Sequence, residues 1–574
     1  MLMNYQLYAN SLNDTNKVLE TILLNRGISD PDTYLNLDYS YCNEYENLNN
    51  IEDAVRCFDK HFERKDAIAI LVDCDPDGYT SAAAMYSYIK RLDQNYPVTY
   101  IIHANNKSHG LSKMGKGDFD IPEGTKLFII PDAGSNDVQQ LNELVKNGID
   151  CIVLDHHEIE DWVGECSAIV VNNQASENYT CKDFSGVGVV FEFLRAIDDY
   201  LIYDYANEFL DLVMFGNISD VMSVKNYQTR YYIEQGINNI NNKFLKALDK
   251  AQEFSTNGEI NIHNIQWYWT PILNSMIRIG NLEDRDLLFR AFIETDEVFP
   301  YKKRGGGVID EDIYTRAARL CKNAKSRQDK MRDDLCNSLK EDMNHEDKVI
   351  MLAAPDDVDP GIIGLAAMRL ADWAGKPCIL LREYASGVYG GSCRNCNNSP
   401  IKDLKALLDS TRLFNWNMGH SNAFGTEINE ENLLDARDAL NDALENIVYD
   451  DTIYCDFILN SEDIEADFIL AIDQSKWLYG HGIEEPVVAI EGVRVALEDC
   501  IVMGANSDSV SMASDGIKYC KFKCKKNDDL LDFANGYIAS ELVLNVVGKI
   551  GINEYRGTRT FQFIIDDYEI VSMC

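Results

Sequence analysis

The stretch AIAILVDCDPDG, Ala67 to Gly78, sets six apolar residues directly before three aspartates, a proline and a glycine. A short unbroken apolar run that stops at an Asp/Gly turn reads as a strand covered on both faces. The spacing then predicts a helix over SAAAMYSYIKRL, Ser81 to Leu92. The same order recurs downstream, through VTYIIHA, KLFIIPDAGSND with the helical VQQLNELVKNG, CIVLDHH, SAIVVNN and the helical GVGVVFEFLRAI. Apolar strands alternating with amphipathic helices give a mostly parallel sheet with helices on both faces.

Outward from this unit, the 574 residues are too many for one core and should form about three or four domains. Residues 1–50 are polar, and DPDTYLNLD within them reads as an irregular docking segment. An α/β domain covers 51–310. A charged stretch over 311–346 suits a long helix joining two lobes. A second α/β unit, 347–450, opens at KVIMLAAPDD, and 451–574 changes to short alternating strands with Gly, Asn and Asp turns, which implies a small β-barrel or sandwich.

Composition excludes several classes. No apolar run approaches a bilayer span and the start lacks a leader pattern, so a soluble, cytoplasmic protein is expected. A monomer is expected as well. The sixteen cysteines are scattered through apolar runs and read as reduced core residues, and the one CxxC, Cys393 to Cys396, has no second pair for a zinc ribbon. With 53 basic against 94 acidic side chains the formal charge is −41, which repels duplex DNA on average. Any nucleic-acid contact must use a local basic channel or metal ions.

Four apolar runs end in acids or imidazoles: LVDCDPDG with Asp73, Asp75 and Asp77, FIIPDAG with Asp132, VLDHH with Asp155, His156 and His157, and LVMFGNISD with Asp220. Loops at the carboxyl ends of parallel strands converge on one crevice. If all four runs are neighbouring strands, their acids meet there and cannot all stay ionised without a cation. Hard carboxylates suit Mg²⁺ or Mn²⁺, and one imidazole shifts the choice toward Mn²⁺. Two such ions about 4 Å apart would clamp a phosphodiester for hydrolysis.

Taken in order, these four motifs resemble those of the DHH phosphoesterase superfamily. The resemblance extends to RecJ-type single-strand exonucleases through VNNQASENYTCKDFSGVGVVFEF and TPILNSMIRIGNLEDRDLLFRAFIETDE. It continues through DPGIIGLAAMRL, GGSCRN and MGHSNAFG, which are similar to the DHH-associated domain, and through WLYGHGIEEPVVAIEGV and VVGKIGINEYRGTRTFQFIIDD, which are similar to RecJ's OB domain. It implies two α/β lobes, a DHH phosphoesterase domain and a DHH-associated substrate-binding domain, joined by a long helix, with a C-terminal OB-like β-barrel.

The resemblance also implies roles. Asp75 and Asp132 would hold one of two Mn²⁺ or Mg²⁺ ions, with Asp132 bridging and Asp73 assisting. Asp77, His156 and Asp220 would complete the other. His157 would contact phosphate and Asp155 would orient the imidazoles. Asn274, Arg278, Arg394, Gly419 and His420 would bind substrate, and Tyr555, Arg556, Arg559 and Phe561 are candidate barrel contacts. Departures from the family pattern are Asp359 for a histidine, Met418 for a glycine, Asn217 for a threonine and Asn395 for a serine.

The implied activity is metal-dependent 5′-to-3′ hydrolysis of single-stranded DNA to mononucleotides, in recombination, repair or replication, with a single-strand-binding protein as an expected helper. A cleft between the lobes would admit one strand and exclude a duplex. Two alternatives remain open: a phosphodiesterase of short oligonucleotides or cyclic dinucleotides, and a non-catalytic replication scaffold.

Overall fold

In the computed structural model, β1 (Ala67–Val72) is the internal strand that organises the first sheet. Around it lie β2 (Val98–Ile102), β3 (Thr125–Pro131), β4 (Asp150–Asp155) and β5 (Ile169–Asn172). All pairs are parallel, in the order β2-β1-β3-β4-β5. Described are residues 3–106, 108–159, 165–303, 305–344, 346–396, 399–447, 452–525, 527–555 and 557–574. Between β1 and β3 the chain order reverses direction across the sheet, which opens a crevice at their carboxyl ends.

The helix after β1 starts earlier than its apolar periodicity suggests. It is α1, Pro76–Leu92 rather than Ser81–Leu92, because Asp75 caps it through Gly78 N at 2.8 Å and Pro76 occupies its first turn. Asp77 therefore sits on a helix, not in a turn. On one face of the sheet Leu141 and Leu144 of α2 (Val138–Lys146) join a core with Leu71, Phe128, Ile130 and Val153. α3 (Gly186–Leu201) packs against α1 and β4.

The run LVMFGNISD differs from the strand expected. Leu210–Ser219 is a helix, α4, and Asp220 is its C-terminal cap residue. From Asp211 to Ser219 every residue is buried. A segment buried on all sides carries no polar stripe, so a buried helix and a buried strand look alike in sequence. The supposedly irregular DPDTYLNLD likewise contains a short helix, Pro31–Leu35, capped by Asp30 through Thr33 N at 3.1 Å.

The chain divides into two compact units, one of Met1–Thr270, Leu288–Thr315 and Thr452–Cys574, the other of Pro271–Leu287 and Arg316–Asp451. The second contains most of α5 (Thr270–Ile279) and of α6 (Ile313–Leu339), then β6 (Ile350–Ala353), α7 (Pro360–Ala374), β7 (Cys378–Ala385), β8 (Val388–Arg394), β9 (Trp416–His420) and β10 (Ala423–Asn429). Its strands form one sheet in the order β9-β10-β8-β7-β6.

Two glycine-containing segments of the family resemblance are strands there. GGSCR lies in β8 and MGH in β9, with His420 and Ala423 flanking a hairpin turn. Hydrogen-bonded neighbours on both sides of β8 outweigh the low strand preference of its two glycines.

The C-terminal residues belong to the first unit. Seven strands, β11 (Phe457–Asn460), β12 (Val488–Ala496), β13 (Cys500–Met503), β14 (Ser509–Ser514), β15 (Ile517–Lys521), β16 (Glu541–Tyr555) and β17 (Thr558–Met573), pair in the order β11-β12-β16-β17-β15-β14-β13. Tyr5–Leu7 pairs in parallel with Ile453–Cys455, so the start of the chain is held against this region. Among the described residues no helix is long and apolar enough to cross a membrane.

Candidate metal centre

The crevice between β1 and β3 receives acids from four places. Asp73, Asp75 and Asp77 follow β1, Asp132 follows β3, His156 and His157 follow β4, and Asp220 caps α4. Two triads result, Asp73 with Asp75 and Asp132, and Asp77 with His156 and Asp220, each presenting ligand atoms within 4.8 Å of one another. A third group joins Asp132 to His156 and His157, so Asp132 belongs to both sides of the cluster.

Asp132 is 1% exposed, yet among the described residues neither carboxylate oxygen has a hydrogen-bond partner. His156 Nε2 lies 3.2 Å from its Oδ1 and 3.5 Å from Asp220 Oδ2. Burial lifts Asp75, Asp77, Asp132 and Asp220 above the usual carboxylate range, and neighbouring aspartates add to the rise. Burial also pushes His156 down, toward the neutral imidazole that can ligate a metal. Buried unsatisfied oxygens, mutual repulsion and one neutral imidazole fit a divalent-cation pair with hard oxygen donors.

The backbone is shaped to let these acids approach. Asp132 has φ of +61°, a conformation that Asp and Asn tolerate better than most residues. Asp77 accepts from Gly186 N at 2.6 Å, Val187 N at 3.2 Å and Ser185 Oγ at 3.0 Å, all at the start of α3. A Cβ on Gly186 would stand 2.4 Å from Asp132 Oδ1. Gly186→Ala is therefore expected to displace Asp132 and weaken binding of a divalent cation such as Mn²⁺ by about 10- to 10²-fold, on the scale of a lost ligand-orienting contact. Unchanged Mn²⁺ affinity in the folded variant would contradict this.

Asp155 holds the histidine pair in place. It accepts from His156 N at 2.8 Å, His157 Nδ1 at 2.7 Å and Ser135 N at 3.0 Å. Although burial alone would raise Asp155, the His157 imidazole holds it well below the usual range.

Two further histidines were not anticipated. His103, fully buried at the end of β2, bonds Asp118 Oδ2 through Nδ1 at 2.7 Å and brings Nε2 within 3.5 Å of Asp73 Oδ1. The signal was present, since VTYIIHA ends in an imidazole just as the other runs end in acids. His109 bonds Asp73 Oδ2 at 2.8 Å, and its ring centroid lies 4.7 Å from that of His157. The Asp73 carboxylate lifts the His109 imidazole above its ordinary value. No strand-end pattern marks His109.

In the second unit, Asn274 and Arg278 lie on α5, with Arg278 exposed in its last turn. Arg394 ends β8, and burial and the Arg278 guanidinium together lower it from its ordinary value. A Cβ on Gly364 of α7 would stand 2.7 Å from Arg394 Nη2, so glycine there makes room for the guanidinium. Gly419, with φ of +126°, and His420 are exposed on the edge strand β9. Asp359 caps α7 through Gly361 N at 2.7 Å, and Asn217 accepts from Ser185 N at 3.1 Å. In the C-terminal region Arg559 is exposed and lies 3.6 Å from Glu554 and 3.8 Å from Asp473. Arg556 and the side chain of Tyr555 lie outside the described residues.

Comparison with known proteins adds to this geometry. A family model for the DHH family, N-terminal domain, matches residues 67–217, and one for the RecJ OB domain matches 455–567. An SPbeta prophage-derived protein of Bacillus subtilis (strain 168), named as a single-strand DNA-specific exonuclease, is 37% identical over 583 residues, covering 99% of this chain and 98% of that one. The single-stranded-DNA-specific exonuclease RecJ of the same strain is 23% identical, over 91% of this chain and 63% of its own length. Among solved structures, RecJ from Thermus thermophilus in complex with Mn²⁺ superposes with a TM-score of 0.73 at 17% identity, covering 99% of this chain and 78% of that one. The chain belongs to the DHH phosphoesterase superfamily, as a member of its RecJ-like single-strand-DNA-specific exonuclease family.

Proposed function

We propose that this protein is a metal-dependent exonuclease that removes mononucleotides from the 5′ end of single-stranded DNA. The observation that carries the reading is Asp132, buried, with both oxygens lacking hydrogen bonds, at the point where two ligand triads meet. Asp75 and Asp132 would hold one divalent cation, and Asp77, His156 and Asp220 the other. When bound, such a pair supplies Lewis acidity toward phosphoryl oxygens and makes water a better nucleophile. The bond broken is the phosphodiester linking the first nucleotide to the rest of the strand.

The chain's own residues do the remaining work. Asp155 accepts from the backbone N–H of His156 and from His157 Nδ1, and so orients the His157 imidazolium, whose Nε2 meets a phosphoryl oxygen of the substrate. Arg394 and Arg278 bring two guanidiniums together in a chain of net charge −41. Paired guanidiniums suit a terminal phosphate, whose oxygens accept forked hydrogen bonds. The OB region would guide the rest of the strand by stacking and local cationic contacts.

Arg394→Ala is expected to weaken 5′-phosphorylated substrates by about 10-fold or more, the scale of one charge-assisted hydrogen bond, and 5′-hydroxyl substrates much less. Equal losses on both would remove Arg394 from that role.

The activity itself is tested with full-length protein, Mn²⁺ and an oligonucleotide carrying label on its 5′-terminal nucleotide. Immediate release of labelled mononucleotide from the single strand, with the matching duplex and a dinucleotide cut far more slowly, is the expected result. Preference for the dinucleotide would favour an enzyme of short oligonucleotides, and no cleavage with no bound metal would favour a scaffold.

A further inference from the structure

Asp73 is the first acid of DCDPDG and lies beside the ions' expected ligands, but its hydrogen bonding differs from that of Asp132. It is 2% exposed, and each of its oxygens receives a donor: Oδ2 from His109 Nδ1 at 2.8 Å, and Oδ1 from Gly110 N at 3.1 Å. His103 Nε2 stands 3.5 Å from the same Oδ1. This carboxylate is oriented by the segment that follows β2, whereas that of Asp132 has no such donor.

The same construction is repeated beside it, with the two imidazoles in contact. Asp155, 1% exposed, takes His157 Nδ1 at 2.7 Å and three backbone N–H groups. In both pairs the carboxylate is inside while the imidazole reaches solvent, His109 with 51% and His157 with 38% of its side chain exposed. The two rings lie 4.7 Å apart, and His156 follows at 4.5 Å from His157. Since Nδ1 of each ring is engaged by its aspartate, what each ring can offer a ligand lies at Nε2. Only as the imidazolium does such a ring donate from both nitrogens, to the carboxylate at Nδ1 and to a phosphoryl oxygen at Nε2.

We propose that Asp73 and His109 form a second Asp–His dyad which, with Asp155 and His157, grips substrate phosphate beside the cleavage centre. Asp73 is thus the anchor of His109 rather than an ion ligand. The inference rests on the nuclease reading above and extends it by one substrate contact and one reassigned acid. The twin arrangement gives two adjacent donors to phosphoryl oxygens, which orients the phosphate as well as neutralising it.

The test compares Asp73→Asn, His109→Ala and the double variant in full-length protein, with three measurements. These are Mn²⁺ affinity and stoichiometry by calorimetry, affinity for a 5′-phosphorylated phosphorothioate oligonucleotide, and kcat/KM on the cleavable strand. Each single variant is expected to lose about 10²-fold in kcat/KM, the scale of one lost donor to a reacting phosphoryl group. Oligonucleotide binding should weaken as well, and the double variant should be no worse than His109→Ala. Mn²⁺ affinity and stoichiometry should match the wild type in all three.

A fall in Mn²⁺ affinity or stoichiometry for Asp73→Asn would overturn the anchor role, and multiplying effects in the double variant would do the same. His109→Ala that binds and cleaves like wild type would overturn the substrate contact. Should that variant not fold, His109→Gln, which keeps an N–H at the outer position, is read on the same measures and is expected to retain more binding than Asp73→Asn. Wild-type protein that neither binds Mn²⁺ nor cleaves would instead overturn the nuclease reading on which this one stands.

Discussion

Asp132→Asn is expected to abolish hydrolysis and, in metal-free buffer, to make the protein more stable. Asparagine is the chosen replacement because it keeps the shape of the side chain and tolerates φ of +61°. Loss of the shared ligand removes several kcal/mol of transition-state stabilisation, so turnover should fall by about 10³-fold or more. The stability effect follows from the sign of the pKa shift. Burial and the Asp77 and Asp75 charges raise Asp132 well above the usual range.

A carboxyl raised in the folded state contributes stability below its unfolded pKa of about 3.9, and that contribution is lost as pH rises through the folded value. At neutral pH without metal the acid cluster is therefore a burden, which the neutral amide relieves. Melting in EDTA at pH 7 should occur at higher temperature for the variant, and added Mn²⁺ should stabilise the wild type much more than the variant. An unchanged metal response would show that Asp132 is not a shared ligand.

Asp456→Ala should cost about 3–5 kcal/mol, the penalty for breaking one partner out of a buried ion pair. Asp456 is fully buried and Arg26 nearly so, with Nη1 to Oδ1 at 2.8 Å and Nη2 to Oδ2 at 3.1 Å. Asn25 Nδ2 at 2.8 Å and Val487 N at 2.9 Å complete the carboxylate's partners. The pair joins residues 430 apart in sequence, the N-terminal helix Val18–Asn25 and the entry to the C-terminal strands. Without Asp456 the guanidinium stays buried and loses its forked partner. Thermal melting and the rate of proteolysis of the C-terminal strands report the change, and a variant as stable as wild type would show that the pair contributes little. Arg26→Met with Asp456→Leu should recover most of the loss, since the penalty comes from a buried guanidinium left with only the exposed Glu484 carboxylate, at 3.4 Å.

Both effects depend on distant residues meeting, and that is where reading from sequence thinned out. The strand of Ala67–Val72, the acids after it and the alternation of strand and helix were legible because apolar runs and turn residues are local signals. Asp220 was placed correctly near the other acids but on the wrong element, since a run buried all round has no periodicity to read. GGSCR, with two glycines, carries no strand signal of its own, and its pairing on both sides makes it an inner strand. His103 escaped notice although it follows the same strand-end pattern. It matters only because β2 lies next to β1, a fact of sheet order.

Sequence alone determined which chemistry is present, a set of hard acids and imidazoles carried at the ends of buried elements, because spacing along the chain fixes where each element stops. Only the tertiary structure decided which of those groups share a neighbour. It placed Asp132 in two ligand groups, one with Asp73 and Asp75 and one with His156 and His157, turned Asp73 toward His109 and Asp155 toward His157, and set Arg26 against Asp456. Strand order and loop path are settled by packing between residues far apart in the chain, and no local pattern encodes the direction in which a buried carboxylate finds its donors.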